Sequence, residues 1–220
     1  MFHQLRFDYR LVAIQWPSCC RAVPLSIFFA LFIHLKEVVA QAESHEASRK
    51  ATKNELVAFV SPGFKLLDSL AADLNADGRS DFLVVLQLQN EAELLETSDS
   101  NLLRPLLILL RDAEGRLYEA ARNANIVLCA NCGGVMGDPY VGLSSEKGKF
   151  TIEHYGGSAW RWSNSITFRY VPELRTWLLH RVETESFHVS EPEKVERDIK
   201  TEKNLGRVRF EVFNNYEDEK

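Results

Sequence analysis

Asp73-Leu-Asn-Ala-Asp-Gly-Arg-Ser-Asp81 runs directly into Phe82-Leu-Val-Val-Leu86, a polar loop followed by an apolar run around which the rest of the chain is organised. Oxygen-bearing side chains stand at loop positions 1, 3, 5 and 9, with Gly78 at position 6. Ca²⁺ is a hard cation that takes six to eight oxygens, and alternate residues of a tight loop supply them readily. Asp73, Asn75, Asp77 and Asp81 are the expected side-chain ligands, with the Arg79 carbonyl as a fifth donor. Gly78 supplies the positive φ where the loop reverses. The same residues also favour plain turns, so a metal-free Asp/Asn/Gly turn is the competing reading. An EF-hand would place a bidentate Glu at position 12, where this chain has Val84. The apolar run leaving the loop predicts a strand, not the exiting helix of an EF-hand.

Asp-x-Asn-x-Asp-Gly-x-x-Asp leading into a strand resembles the calcium loops of FG-GAP/VCBS-type, integrin-like repeats. That resemblance implies a calcium loop joining the first two strands of a four-stranded blade. It is close over 73–86 and looser over about 64–128. The chain offers a single copy, where a propeller needs several blades.

Moving outward, residues 1–42 have the layout of a signal peptide. Arg6, Arg10 and Arg21 precede the apolar stretch 23–35, and Ala40-Gln-Ala42 provides a small-x-small cleavage site. The apolar core is short for a membrane span. A periplasmic or secreted location after cleavage is therefore expected, with a retained N-terminal anchor as the alternative. Of 26 basic and 31 acidic residues, four basic and two acidic lie in 1–42, which leaves 22 and 29 and a net charge of −7. That balance argues against nucleic acid or an anionic membrane as a partner, and cleavage of the leader would leave no membrane span. Residues 43–55 are polar and read as a flexible linker. Residues 56–213 then form a single β-rich domain, with an acidic tail over 214–220.

The strand signals follow in order. Residues 63–72 carry apolar spacing compatible with a helix, but a strand is expected there because the loop resemblance needs one to enter it. Residues 82–89, 103–110 and 117–128 read as three further strands, with Asp112-Ala-Glu-Gly115 turning between the last two. The acidic segment 90–101 reads as an exposed connection. Phe150, Ile152 and His154 share one face of a strand, and Ile166, Phe168 and Tyr170 alternate in the next. Residues 177–182 follow as a strand. The charged stretch 191–203 reads as a short helix or exposed excursion, and Val208, Phe210 and Val212 as a final strand. The expected fold is mainly β: an antiparallel meander with a blade-like first half, closing as a sandwich or small barrel-like sheet, with few short helices.

Two further places carry candidate chemistry. Cys129-Ala-Asn-Cys132 is a lone Cys-x-x-Cys. In an exported chain it reads as a local disulfide, and redox or metal use is the other option. His154-Tyr-Gly-Gly-Ser-Ala-Trp-Arg-Trp162 sets His154, Tyr155, Trp160, Arg161 and Trp162 beside a flexible Gly pair. This is a candidate stacking surface for a protein, peptide or glycan of the envelope, with alternating core aromatics as the bland reading. From the Cys-x-x-Cys loop through this segment, the second half resembles bacterial envelope proteins, a likeness that carries no activity with it.

Catalysis is not required by any spacing. Cys129 or Cys132 with His154 and Asp138 is the set that can be drawn as nucleophile, base and orienting group. It is the basis of the alternative, an envelope hydrolase or thiol-redox protein. Ser158 lacks the second glycine of a nucleophile elbow. The residues favour a non-catalytic, calcium-stabilised binding or structural module.

Overall fold

Runs such as Phe82-Leu-Val-Val-Leu86 and Leu106-Leu-Ile-Leu-Leu110 have no polar face, so strands built from them must be buried on both sides. The computed structural model describes residues 54–97, 102–146 and 148–216, all within the unit Thr52–Lys220. There these runs are the two central strands of a four-stranded antiparallel meander. Its strands are β1 (Phe64–Ala72), β2 (Asp81–Leu88), β3 (Arg104–Arg111) and β4 (Leu117–Val127), in that spatial order. A second meander of five strands follows in the same simple order. It comprises β5 (Tyr140–Glu146), β6 (Lys149–Gly157), β7 (Trp160–Val171), β8 (Thr176–His188) and β9 (Glu196–Thr201). Every neighbouring pair is antiparallel, and neither sheet closes into a barrel.

The two sheets pack face to face around one apolar cluster. Leu83, Val85, Leu106 and Ile108 from the first meet Phe150, Ile152, Ile166, Phe168 and Trp177 from the second. Phe210 fills the centre, with ring centroids 5.8 Å from Phe150 and 5.4 Å from Phe168, both edge-on. The outer face of the first sheet carries its own cluster, Phe82, Val84, Leu86, Leu107 and Leu109. Leu56, Phe59 and Val60 cover it. This explains the unbroken apolar runs of β2 and β3: each alternates between two cores rather than between core and water. Pro105 falls in the register shift between Arg104 and Leu106, where its missing N–H interrupts no ladder bond.

The mainly β architecture, the blade-like first half and the sandwich closure are as the patterns predict. Several local expectations are corrected. The connection over 90–101 contains a helix, Glu91–Thr97, whose Glu91 is buried. The charged stretch at 191–203 holds edge strand β9 and a short helix, Glu202–Leu205. Residues 208–212 do not form a strand. Leu178 makes a single bridge to Arg209, and Phe210–Val212 is a 3-10 turn that drives Phe210 into the core. The end of the expected linker is ordered as a helical turn over 54–57, where Glu55 holds Arg111 at 2.8 Å. The start of the expected acidic tail is packed as well: Asn215 donates to the Asn125 carbonyl at 2.9 Å, and Tyr216 Oη to that of Val127 at 3.2 Å. The signal segment 1–42 lies outside the described residues. Among the described residues, no helix is long and apolar enough to cross a membrane.

Candidate functional site

Residues 73–80 form the turn from β1 to β2, and the backbone amides of this turn determine how its side chains point. Asp73 accepts from the Asp77 amide at 3.1 Å and the Gly78 amide at 3.0 Å. Asn75 Oδ1 accepts from the same Asp77 amide at 3.1 Å, and Asp77 Oδ1 from the Arg79 amide at 2.9 Å. These bonds turn successive oxygens toward the loop centre. Gly78, at φ 83°, makes the reversal that a side chain would strain. Asp81 is fully buried at the start of β2. It accepts from the Leu74 amide at 3.0 Å across the loop and from the Arg111 amide at 2.9 Å on β3.

Ligand oxygens of Asp73, Asp77 and Asp81 thereby lie within 4.8 Å of one another. Three carboxylates this close repel. Burial pushes the Asp81 carboxyl above its ordinary range, the Asp77 and Asp73 charges push it the same way, and the two amides only partly oppose them. Asp77 runs the other way. Slight desolvation is outweighed by the Arg79 amide, the Asn75 side chain and the Arg79 guanidinium, which hold it low. The donor set fits a hard divalent cation. Asp73, Asp77 and Asp81 would hold it through carboxylates, and Asn75 and the Arg79 carbonyl through neutral oxygens. Such an ion would supply charge neutralisation at the turn. Against it stands the Arg79 guanidinium, 2.5 Å from Asp77 Oδ2, which occupies one of those oxygens.

The second candidate segment divides between two faces of its sheet. His154 is buried on the inner face, while Tyr155, the next residue, faces outward. Trp162 pairs with Gly156 and shares the inner face with His154, whereas Arg161 pairs with Gly157 on the outer one. Trp160 is exposed at the end of β7, edge-on to His188 at 5.3 Å. The Gly pair has a structural explanation. A Cβ on Gly156 would stand 2.6 Å from the Trp162 ring and 2.9 Å from Gly133 Cα. Bare backbone there lets the indole and the loop after the cysteines pack against β6.

Cys129 and Cys132 are joined, with sulfurs 2.04 Å apart. The loop they pin carries Asp138 to Arg104, which sequence reading missed. Arg104 is buried at the start of β3 and binds two carboxylates in bidentate fashion. Glu91 is held at 2.9 and 2.8 Å, and Asp138 at 2.7 Å through both oxygens. A lone Arg before a Pro at a strand start is the only signal the sequence offers for it. His154 Nε2 accepts from the Leu128 amide at 3.2 Å, and its Nδ1 is buried without a partner. Desolvation lowers its pKa to about 4, with Asp138 opposing and Arg104 assisting. With the sulfurs bonded and the imidazole's acceptor engaged by a backbone amide, Cys129, His154 and Asp138 form no nucleophile–base pair in this geometry.

Comparison with family models, curated proteins and solved structures matches nothing to this chain.

Proposed function

We propose that this chain is an exported, non-catalytic module of the cell envelope, stabilised by calcium in the 73–81 turn and used for binding or structural support. The observation that carries the calcium reading is the convergence of Asp73, Asp77 and Asp81 within 4.8 Å. It is joined by the Asp-x-Asn-x-Asp-Gly-x-x-Asp spacing and by the loop's place between the first two strands of a four-stranded meander. The disulfide and the leader-like first 42 residues support an oxidising, extracytoplasmic setting. Calcium here acts on stability: it would relieve the repulsion among three carboxylates that the fold brings together.

The test is thermal unfolding of the protein recovered from the exported fraction, with calcium or with chelator, alongside Asp77→Ala. A ligand that binds only the native state at ~100 times its dissociation constant stabilises by about 2.7 kcal/mol. For a domain of this size that is roughly 5–11 °C in Tm. The expected result is such a shift in the parent protein and none in Asp77→Ala. Equal melting with calcium and with chelator would sink the calcium reading. An intact mass that still includes residues 1–42 would sink cleaved export.

A further inference from the structure

The inner face of the five-stranded sheet changes character along β7 and β8. Ile166, Phe168 and Leu179 lie in the inter-sheet core. One step further along the same face come Asn164 opposite Thr184 and Trp162 opposite Ser186, with Asp198 and Glu196 beside them on β9. The C-terminal segment 205–215 stands across from this floor, leaving a groove of about 700 Å³. That volume lies within the range of small-ligand sites, about 300–1,000 Å³.

The groove has a fixed wall. Asn123 donates to the carbonyls of Phe210, at a short distance, and Phe213, at 2.8 Å. Asn215 Nδ2 donates to the Ile126 carbonyl at 3.1 Å, and Asn215 Oδ1 accepts from Asn164 Nδ2 at 2.9 Å. Asn164 lines the groove, while its Oδ1 is fully buried with no donor.

We propose that this groove binds a short neutral saccharide. Trp162 packs its indole over Gly156 and is one of the residues lining the groove, an aromatic beside which the apolar face of a sugar ring would rest. The polar groups beside it mostly accept. They are the Glu196 and Asp198 carboxylates, and the Thr184 and Ser186 hydroxyls, which do both. The two cations that line the groove are already engaged, Arg197 by Glu183 and Glu185 and Lys200 by Asp198 at 3.9 Å. Acceptors around an indole suit a ligand rich in O–H donors and disfavour an anionic one. The site is independent of the calcium turn, so either reading can fail alone.

The experiment is an amide-resolved NMR titration of the full chain with chitotriose and cellotriose. An acidic trisaccharide and trialanine serve as comparisons. Saturable shifts at residues 162–164, 184–186 and 212–215 are expected with a neutral trisaccharide, and affinity falls about tenfold or more in Trp162→Ala. Because that variant also disturbs the Gly156 contact, Ser186→Phe provides a second test by filling the groove without emptying the core. It too must abolish binding, while Tyr118→Ala, at an exposed aromatic on β4 of the other sheet, leaves it unchanged. No saturable shift with either neutral sugar at millimolar concentration overturns the proposal. So do shifts that persist in Ser186→Phe, or preference for trialanine or the acidic sugar.

Discussion

Lowering the pH from 7.5 to 4 should destabilise this protein in a way that can be traced in part to one side chain, His154. His154 Nε2 accepts the Leu128 amide hydrogen, so the neutral ring carries its proton on Nδ1. Protonating it means breaking that bond and burying a charge in a site with no partner for either N–H. Its pKa of about 4 in the fold, against 6.5 for a free imidazole, expresses that cost. Between those values the unfolded chain binds a proton that the native state refuses, so stability is lost as pH falls. The loss begins below the unfolded value of 6.5 and is complete once the pH is below the folded value of about 4. At 1.36 kcal/mol per unit, the contribution is about 2 kcal/mol by pH 5 and about 3 kcal/mol by pH 4. The assay is urea unfolding at several pH values for the parent protein and His154→Gln, whose amide oxygen can still accept from Leu128. Other titrating groups act on both proteins, so the difference between them isolates His154. The stability gap should move in favour of the variant by about 2 kcal/mol between pH 7.5 and pH 5, a midpoint change of about 1 M urea. If the two proteins lose stability in parallel to within 0.5 kcal/mol (roughly the additivity error), burial of a neutral His154 is not what limits acid stability.

Three further perturbations test how the fold is held. Arg104→Met strands Glu91 as a buried carboxylate and should cost about 3–5 kcal/mol, read as a Tm drop of roughly 6–20 °C. A change under 1 kcal/mol would mean that the Glu91–Arg104–Asp138 cluster adds nothing. Asp81→Ala should destabilise by about 2–4 kcal/mol even with chelator present, because it leaves the Leu74 and Arg111 amides without their acceptor. Exposed Asp77→Ala should cost less than half as much under the same conditions, and equal losses would refute this division of labour. Gly156→Ala should cost about 1–3 kcal/mol and alter the near-UV signal of Trp162, since the new methyl overlaps the indole. An unchanged spectrum and Tm would show that the ring has room to move.

What could be read from the chain, and what could not, divides along the lines of local against distant causes. The turn at 73–81 is legible because its geometry is written in nine consecutive residues. The alternation of 150–154 and 166–170 is legible because one face meets the core and the other water. Strand β9 is not, since Glu196-Arg-Asp-Ile-Lys-Thr201 is an exposed edge whose charges guard it rather than pack it. The helix Glu91–Thr97 hides for a related reason. Its acidic start looks solvated until Arg104, thirteen residues on, is seen to bury Glu91. Phe210 keeps its place in the core while its neighbours lose their strand, because the alternating residues 208–212 find only one bridging partner. The groove is the extreme case. Its floor and wall come from residues 162, 184, 198 and 213, which no spacing rule connects.

The position of the turn within the sandwich gives it reach beyond its own nine residues. Leu74 sits inside the loop with a buried side chain and both backbone groups committed in opposite directions. Its amide donates to Asp81, whose other oxygen holds Arg111 on β3, so one carboxylate joins the turn to the third strand of its own sheet. Its carbonyl accepts from the Trp177 indole at 3.0 Å, on β8 of the opposite sheet. Trp177 is itself nearly fully buried and stacks obliquely on Tyr170 at 5.1 Å. Whatever sets the position of Leu74 therefore sets a contact between the two sheets as well as the exit into β2. A cation drawing Asp73, Asp77 and Asp81 together would act on both connections at once, and so would the repulsion of those carboxylates without one. For that reason the effect of calcium should be sought in cooperative global unfolding, and not only in local protection of an exposed turn.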